Sequence, residues 1–380
     1  MKLNSYDEWS QLREVIVGSA ANYTSHEREL SFDYFFLDNL KVRSEWYYPR
    51  ISSATAPDNE SGRKQLSIKQ RYVEELNEDV GGIVSTLQSL GVKVHRPLEL
   101  DPSTTEVETL AWRAAVIPAL NVRDMSLVLG DEMVETAPML RSRYFETKLL
   151  TPIFADYFRK GARWSAMPRP IMTDSSFDPS YAQLNDGGLM ESIKNPRSSP
   201  YDVGFEIMID GAQCLRLGRD VLVNVSTENH AMAYTWLQRH FEGRFRFHRI
   251  DRLTDSHIDS MILALRPGTL LIRSERVADY LPAPLQKWEL IVAPEPKENS
   301  FPSYQSDDLV LTSLYIDMNV LSVSPEMVMA NVDSPEIIRL LERHKFTVVP
   351  VRHRHRRIFG GGFHCVTLDT VRDGGPEDYL

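Results

Sequence analysis

One degenerate pattern of apolar and polar positions recurs along the chain: an amphipathic helix, a short break, then a β-rich strand ending near Pro or Arg. Five copies can be written down: Ile83 to Pro97, Ile153 to Pro170, Ala233 to Ile250, Tyr280 to Pro294 and Pro335 to Val351. The fourth is the weakest, because two prolines shorten its helix. Between the copies lie apolar, hairpin-like runs: Leu127 to Leu129 followed by Gly130-Asp131, Leu215 to Val225 about Gly218-Arg219-Asp220, Leu270 to Val277, and Val320 to Met329 about Ser324-Pro325. Each unit therefore reads as strands plus one helix. Such a unit cannot bury its apolar face alone, so the copies are expected to pack about a common centre, as blades or as a solenoid. Helix ends agree with this reading. Ser334 is placed to cap a helix that opens on Pro335, turns Ile337, Ile338, Leu340 and Leu341 inward, and carries Arg343, His344 and Lys345 at its C-terminal end. No Gly/Ser linker divides the chain, so a single domain over 1–380 is expected, with a loop insertion around 173–204, a stretch rich in Asp, Ser, Asn, Gly and Pro.

Composition narrows the function. At 380 residues and 42% hydrophobic content the chain can build a substantial core, and 25% charged residues suit an ordinary folded domain. Lys plus Arg (43) against Asp plus Glu (53) leaves a formal charge of −10, so no general field draws in phosphate backbones or anionic membranes. Nucleic acid and membrane are not expected partners. The N-terminal stretch Met1-Lys2-Leu3-Asn4-Ser5-Tyr6-Asp7 lacks a signal-like apolar region, and no later apolar run is long enough to span a bilayer, so a cytoplasmic protein is expected. Only Cys214 and Cys365 occur, too few for a disulfide framework or a Cys-rich zinc site.

The two thiols read differently. Cys214, inside the apolar run Gln213 to Leu217, fits a small buried hydrophobe. Cys365 follows Phe359-Gly360-Gly361-Gly362-Phe363-His364, whose glycines allow close backbone approach and unusual dihedrals just before the sulfur. This pattern points to a nucleophile, which needs a base or a positive environment to form thiolate. His257-Ile258-Asp259 supplies a candidate base: on a strand, residues two apart face one side, so imidazole and carboxylate would project together. No further ligands stand at metal-binding spacing, and no metal is expected. Asp124, before the apolar Met125 to Leu129 run, and Asp210, before the Cys214 strand, hold comparable places in their units. Carboxylates beside strongly apolar strands are costly unless paired, and a cationic substrate would pair them.

Together these residues resemble the amidinotransferase family over nearly the whole chain. The likeness runs through Asn4 to Trp9, Leu12 to Gly18, Arg123-Asp124, Glu135 to Met139, Arg141 to Glu146 (RSRYFE), Gly161 to Trp164, Asp210 with Arg216 to Asp220, His257-Ile258-Asp259, Met318 to Leu321 and the Gly-Gly-Gly-Phe-His-Cys segment. The resemblance implies a five-bladed α/β propeller with pseudo-fivefold symmetry, in agreement with the five copies. It also implies a ping-pong transfer without a cofactor, in which the Cys365 thiolate attacks the guanidino carbon of L-arginine, L-ornithine leaves, and a small acceptor amine takes up the amidino group. In that scheme His257 is acid and base, Asp210 orients it, Asp124 and Asp259 hold the guanidinium, and Arg276 with Ser313 meets the α-carboxylate.

The chain departs from the family pattern at Gly211, Gln213 and Ser256, and in Arg273-Ser274-Glu275 before Arg276. Segments 23–66 and 173–204 are the least similar, so donor chemistry is carried over better than acceptor identity. The run Arg352-His353-Arg354-His355-Arg356-Arg357 is distinctive. It reads either as a solvated basic edge or as an attractor for an anionic or carrier-bound acceptor. Two other functions compete: a guanidine-modifying hydrolase giving citrulline and ammonia, and a non-catalytic binding propeller, against which the Cys365, His257 and Asp210 set argues. Oligomeric state is not legible from the sequence, a homodimer being one option.

Overall fold

The computed structural model describes residues 1–24, 26–35, 64–65, 68–178, 199–254, 256–297, 301–305, 308 and 310–380, with 27–28, 33 and 64–65 described by their backbone. Most of the insertion expected around 173–204 lies outside the described residues.

Five three-stranded sheets carry the architecture, and each has one plan. In four of them an antiparallel hairpin supplies the first two strands, in the remaining one an antiparallel pair from distant parts of the chain does, and a third strand then pairs parallel to the second. A parallel return needs a crossover, which is why a helix precedes every third strand but one. The second blade is Ser126–Leu129, Glu132–Glu135 and Arg163–Ala166; the third is Cys214–Leu217, Asp220–Val225 and Arg246–Asp251. The fourth is Ile262–Arg266, Thr269–Ile272 and Glu289–Val292; the fifth is Leu321–Ser324, Met327–Asn331 and Thr347–Val351. The repeat in the sequence is thus a crossover helix plus a third strand, and the apolar runs between copies hold the hairpins. Two runs are exceptions: Leu127 to Asp131 contains only a first strand and its turn, and Leu270 to Val277 only a second strand and the start of a 3-10 turn.

The first blade closes the ring. Its middle strand, Leu12–Val17, pairs antiparallel with Thr367–Arg372 from the chain's far end and parallel with Lys93–His95. A solenoid leaves its end units apart, whereas here the two ends share one sheet, so the copies form blades. Four crossovers are α-helices: Gln70–Ser89, Thr151–Arg159, Glu228–His240 and Pro335–Arg343. In the fourth blade only the 3-10 turns Glu275–Tyr280 and Leu285–Lys287 occur, on either side of Pro282 and Pro284, as the prolines had indicated. Ser334 precedes the last helix, but its side chain makes no capping hydrogen bond; its hydroxyl instead lies 3.5 Å from Arg356 Nη2.

Helices bury their apolar stripe against the sheets. On Gln70–Ser89 the stripe is Tyr72, Val73, Leu76, Val80, Ile83 and Leu87, packed on Val15 and Val17. Toward the centre the first strands of neighbouring blades are tied by polar groups. Arg372 Nη2 donates to Ser322 O at 2.8 Å, Ser322 Oγ to Leu265 O at 3.1 Å, and Arg216 Nη1 to Val128 O at 3.4 Å. The charges gathered there are buried and mutually paired, as burial requires: Arg216 with Glu8 and Asp369, and Arg123 and Arg372 with Asp369.

Candidate active site

The nucleophile loop connects the third strand of the fifth blade to the ring-closing strand. Gly360 has φ +77°, a left-handed conformation that glycine adopts without strain. Gly361 is required by close approach: a Cβ there would lie 2.3 Å from Asn121 Oδ1 and 2.9 Å from Cys365 Cβ. The loop is then fixed from three sides. Asn319 O accepts from Phe363 N at 2.9 Å, Asn319 Oδ1 accepts from Cys365 N at 3.1 Å, and Arg123 N donates to Cys365 O at 3.3 Å. The Cys365 sulfur lines a cavity and lies 3.4 Å from Asp259 Oδ2 as a donor. Burial, then the negative charges of Asp259 and Asp124, push this thiol well above the usual cysteine range. Both effects favour the neutral thiol.

His257 lines the same cavity. It does not sit on a strand, as its spacing from Asp259 suggested; it opens the 3-10 turn Ile258–Ser260, and the turn brings both side chains to the cavity wall. His257 Nε2 is 2.9 Å from Asp210 Oδ2, and Nδ1 is 3.6 Å from Asp124 Oδ1. Burial opposes the charged imidazole, but Asp124 and Asp210 outweigh it and raise the ring to about 9, so the imidazolium is the resting form at neutral pH. Asp210 is fully buried behind the ring, with Met139 N 3.4 Å from its Oδ1.

Asp124 is only half satisfied. Its Oδ2 accepts from Arg143 Nη1 at 2.6 Å, while its Oδ1 is buried without a hydrogen-bond partner. Burial raises Asp124 above the usual carboxylate range. Arg143 is held in turn by Glu146, with Nε 2.6 Å from Oε2 and Nη2 2.9 Å from Oε1, and by Asn121 O at 2.9 Å. Burial brings Glu146 to about 7 despite that pairing. A thiol facing Asp124 and Asp259 makes a poor home for an anion and a good one for a planar cation. Such a cation would complete Asp124 and would itself lower the cost of forming thiolate.

Of the residues singled out in the sequence, Cys365, His257, Asp124, Asp259 and Ser313 line one cavity, and Asp210 stands directly behind His257. Arg276 does not join them. It is exposed on the 3-10 turn Glu275–Tyr280, because that turn spends its inward position on Val277. Arg273, at the end of the preceding strand, is buried in the cavity wall instead, with Nη2 3.3 Å from Ser313 Oγ and its guanidinium 4.5 Å from the Tyr315 ring centre. Sequence reasoning had registered Arg273 only as a departure from pattern; an Arg ending an apolar strand was the available signal. Asn121 and Arg143 were missed as well, although Arg143 lies inside the RSRYFE motif.

The basic run 352–357 is not a patch awaiting an anion. Arg354 bonds Asp79 and Glu78, His355 bonds Glu75, and Arg356 Nη2 bonds Asp317 Oδ2 at 2.8 Å. His353 Nε2 lies 3.0 Å from Gly361 O. Arg354 and His355 fasten the run to the helix Gln70–Ser89 and Arg356 fastens it to Asp317, so these three do not face an incoming anion, while Arg352 is exposed. Cys214 is buried in its strand, its thiol raised to about 12 by burial. Among the described residues no group of three or more His, Cys, Asp or Glu is placed to hold a metal ion, and no helix is long and apolar enough to cross a membrane.

No family model matches the chain. Inosamine-phosphate amidinotransferase 1 of Streptomyces griseus is 32% identical over 378 residues, covering 98% of each chain. Among solved structures, SxtG, an amidinotransferase from Microseira wollei in the saxitoxin biosynthetic pathway, superposes with a TM-score of 0.78 at 29% identity over 100% of this chain and 99% of its own. A dimethylarginine dimethylaminohydrolase (DDAH) from Pseudomonas aeruginosa, 13% identical, superposes with a TM-score of 0.52 over 94% of this chain and 99% of its own, and shares the five-bladed pentein fold.

Proposed function

From a chain that belongs to the amidinotransferase family, we propose an enzyme that moves the amidino group of L-arginine to a small acceptor amine through an amidino-Cys365 intermediate, releasing L-ornithine. The observation that carries this reading is the joint presence of the Cys365 thiol, the His257–Asp210 pair and the carboxylates Asp124 and Asp259 about one cavity. The guanidinium lies between Asp124 and Asp259, whose charge-assisted hydrogen bonds hold its nitrogens and leave its carbon open to sulfur. Arg273, with Ser313 beside it, receives the α-carboxylate in place of Arg276. The positive substrate offsets the two carboxylates that disfavour thiolate, so the nucleophile forms when the donor is bound.

A carbon–sulfur bond then forms and the bond from carbon to the ornithine nitrogen breaks. The proton of the thiol passes to solvent as the cationic donor binds; the His257 imidazolium then protonates the departing nitrogen and is left neutral. In the second half the neutral His257 takes a proton from the acceptor amine as it attacks the amidino carbon, and the sulfur leaves. The inosamine phosphate named for one relative and the saxitoxin pathway named for another belong to specialised metabolism, and we place this enzyme there. Incubation with arginine labelled at the guanidino carbon and a panel of amines tests the reading: ornithine release with label on an amine supports it. Citrulline and ammonia would refute it in favour of hydrolysis, and a Cys365→Ala variant that still released ornithine would refute the nucleophile.

A further inference from the structure

We propose that His364 is a positioning residue: it ties Asp259 to the buried charge cluster at the ring centre and so fixes the carboxylate that seats the donor beside the sulfur. The inference rests on the amidinotransferase reading and deepens it. His364 is buried and does not line the cavity, so it acts through another group. Its Nδ1 is 2.8 Å from Asp259 Oδ2, and its Nε2 is 3.3 Å from Glu8 Oε2. With a carboxylate oxygen facing each nitrogen, the ring makes both bonds only when both nitrogens carry protons.

Both ends of this bridge are anchored. Glu8 is gripped by Arg216, Nε to Oε1 at 2.8 Å and Nη2 to Oε2 at 2.7 Å. The backbone of His364 is gripped by Arg123, whose Nε donates to His364 O at 2.7 Å and whose Nη2 donates to Asp369 Oδ1 at 2.7 Å. Asp259 Oδ2 thereby faces both His364 and the Cys365 sulfur, leaving the second oxygen for the guanidinium. Against burial, which acts the other way, the hydrogen bond and charge of His364 hold Asp259 below the usual carboxylate range. The other charged groups acting on Asp259 are His257 across the cavity and Arg123 beneath it. A carboxylate that must bind a cation has to stay ionised and keep its direction, and His364 serves both needs.

Two variants separate this role from a merely structural one. His364→Leu removes both bonds, and His364→Gln keeps one neutral donor. Two quantities are measured against pH: arginine-dependent ornithine release, and alkylation of Cys365 by iodoacetamide without substrate, localised by mass spectrometry. For His364→Leu the arginine KM is expected to rise about tenfold or more while kcat falls less. The acid limb of kcat/KM moves to higher pH, because Asp259 takes up a proton more readily; alkylation of Cys365 also moves to higher pH, because in that range Asp259 is ionised and has lost the donor that offset its charge beside the sulfur. His364→Gln shows the same shifts in smaller measure, and decides the matter alone if the Leu variant does not fold. Unchanged KM and pH limbs, or parallel losses in KM and kcat with no limb shift, would overturn the inference. If the wild-type protein releases no ornithine the transferase reading fails, yet the alkylation profile still reports whether His364 acts on Asp259 and Cys365.

Discussion

Two histidines of this protein are each held between two carboxylates, and they are finished differently. His364 has Asp259 at 2.8 Å and Glu8 at 3.3 Å, so both its nitrogens are within hydrogen-bond reach. His257 has Asp210 at 2.9 Å, but its other side looks toward Asp124 Oδ1 across 3.6 Å, beyond a hydrogen bond, and it borders the cavity. One ring is therefore locked and the other is held on one side only. A group that must give and take protons needs that open side; a group that must keep a neighbour in place is better without it. The sharpest way to break the comparison is to exchange each ring for glutamine. His257→Gln is expected to lower kcat about a thousandfold with a modest change in arginine KM. His364→Gln acts mainly on KM. Similar kinetic defects in both variants would erase the distinction.

Next in size is Asp124→Asn, which touches the open side directly. It removes one of the two carboxylates expected to seat the guanidinium, so the arginine KM should rise about a hundredfold. It also removes a charge that raises His257 to about 9. The sign follows from the chemistry: the proposed first half-reaction needs the imidazolium, so once bound arginine has brought out the thiolate, kcat falls as pH rises past the His257 range, which Asp124 and Asp210 raise to about 9 in the free protein. In Asp124→Asn that fall comes at lower pH, and in His364→Leu it stays where it was. A pH–rate series on the three proteins checks both statements.

The same contrast between cavity-facing and packed groups explains how far the sequence could be read. The helix-then-strand period announced the repeating unit, as a blade or a solenoid turn, because each crossover must return to the same sheet, and the prolines at 282 and 284 announced the one unit without an α-helix. Ring closure by Thr367–Arg372 was not legible, since no local pattern states which distant strand pairs with Leu12–Val17. Cys365, His257, Asp124 and Asp259 were legible because buried charge and a glycine-framed thiol leave marks in composition. The proposed carboxylate anchor was not. Arg273 and Arg276 are three residues apart, and only the change from strand to 3-10 turn between them decides which one enters the cavity. Arg273→Gln is accordingly expected to raise the arginine KM about tenfold, and Arg276→Gln to leave it unchanged. Steady-state kinetics on the pair would expose an error in either direction.

The smallest effect on catalysis is expected where every charge is already met. Arg354 is polar and partly exposed, and it stands six residues before the glycine loop, which by sequence suggested a role in drawing in the acceptor. Its guanidinium, however, bonds Asp79 through Nε at 3.0 Å, reaches Glu78, and donates to Glu75 O at 3.0 Å, while its backbone N–H donates to Asp79 Oδ2 at 2.6 Å. Asp79 is buried on the helix Gln70–Ser89, so removing the side chain leaves a buried carboxylate with the backbone N–H but without its cation. Arg354→Ala is expected to cost about 1–2 kcal/mol, seen as a fall of a few degrees in Tm. The acceptor KM should stay at its wild-type value, because the charge being removed never faced the cavity. A variant with unaltered Tm and a raised acceptor KM would mean that Arg354, like His257 and unlike His364, keeps a side open to substrate.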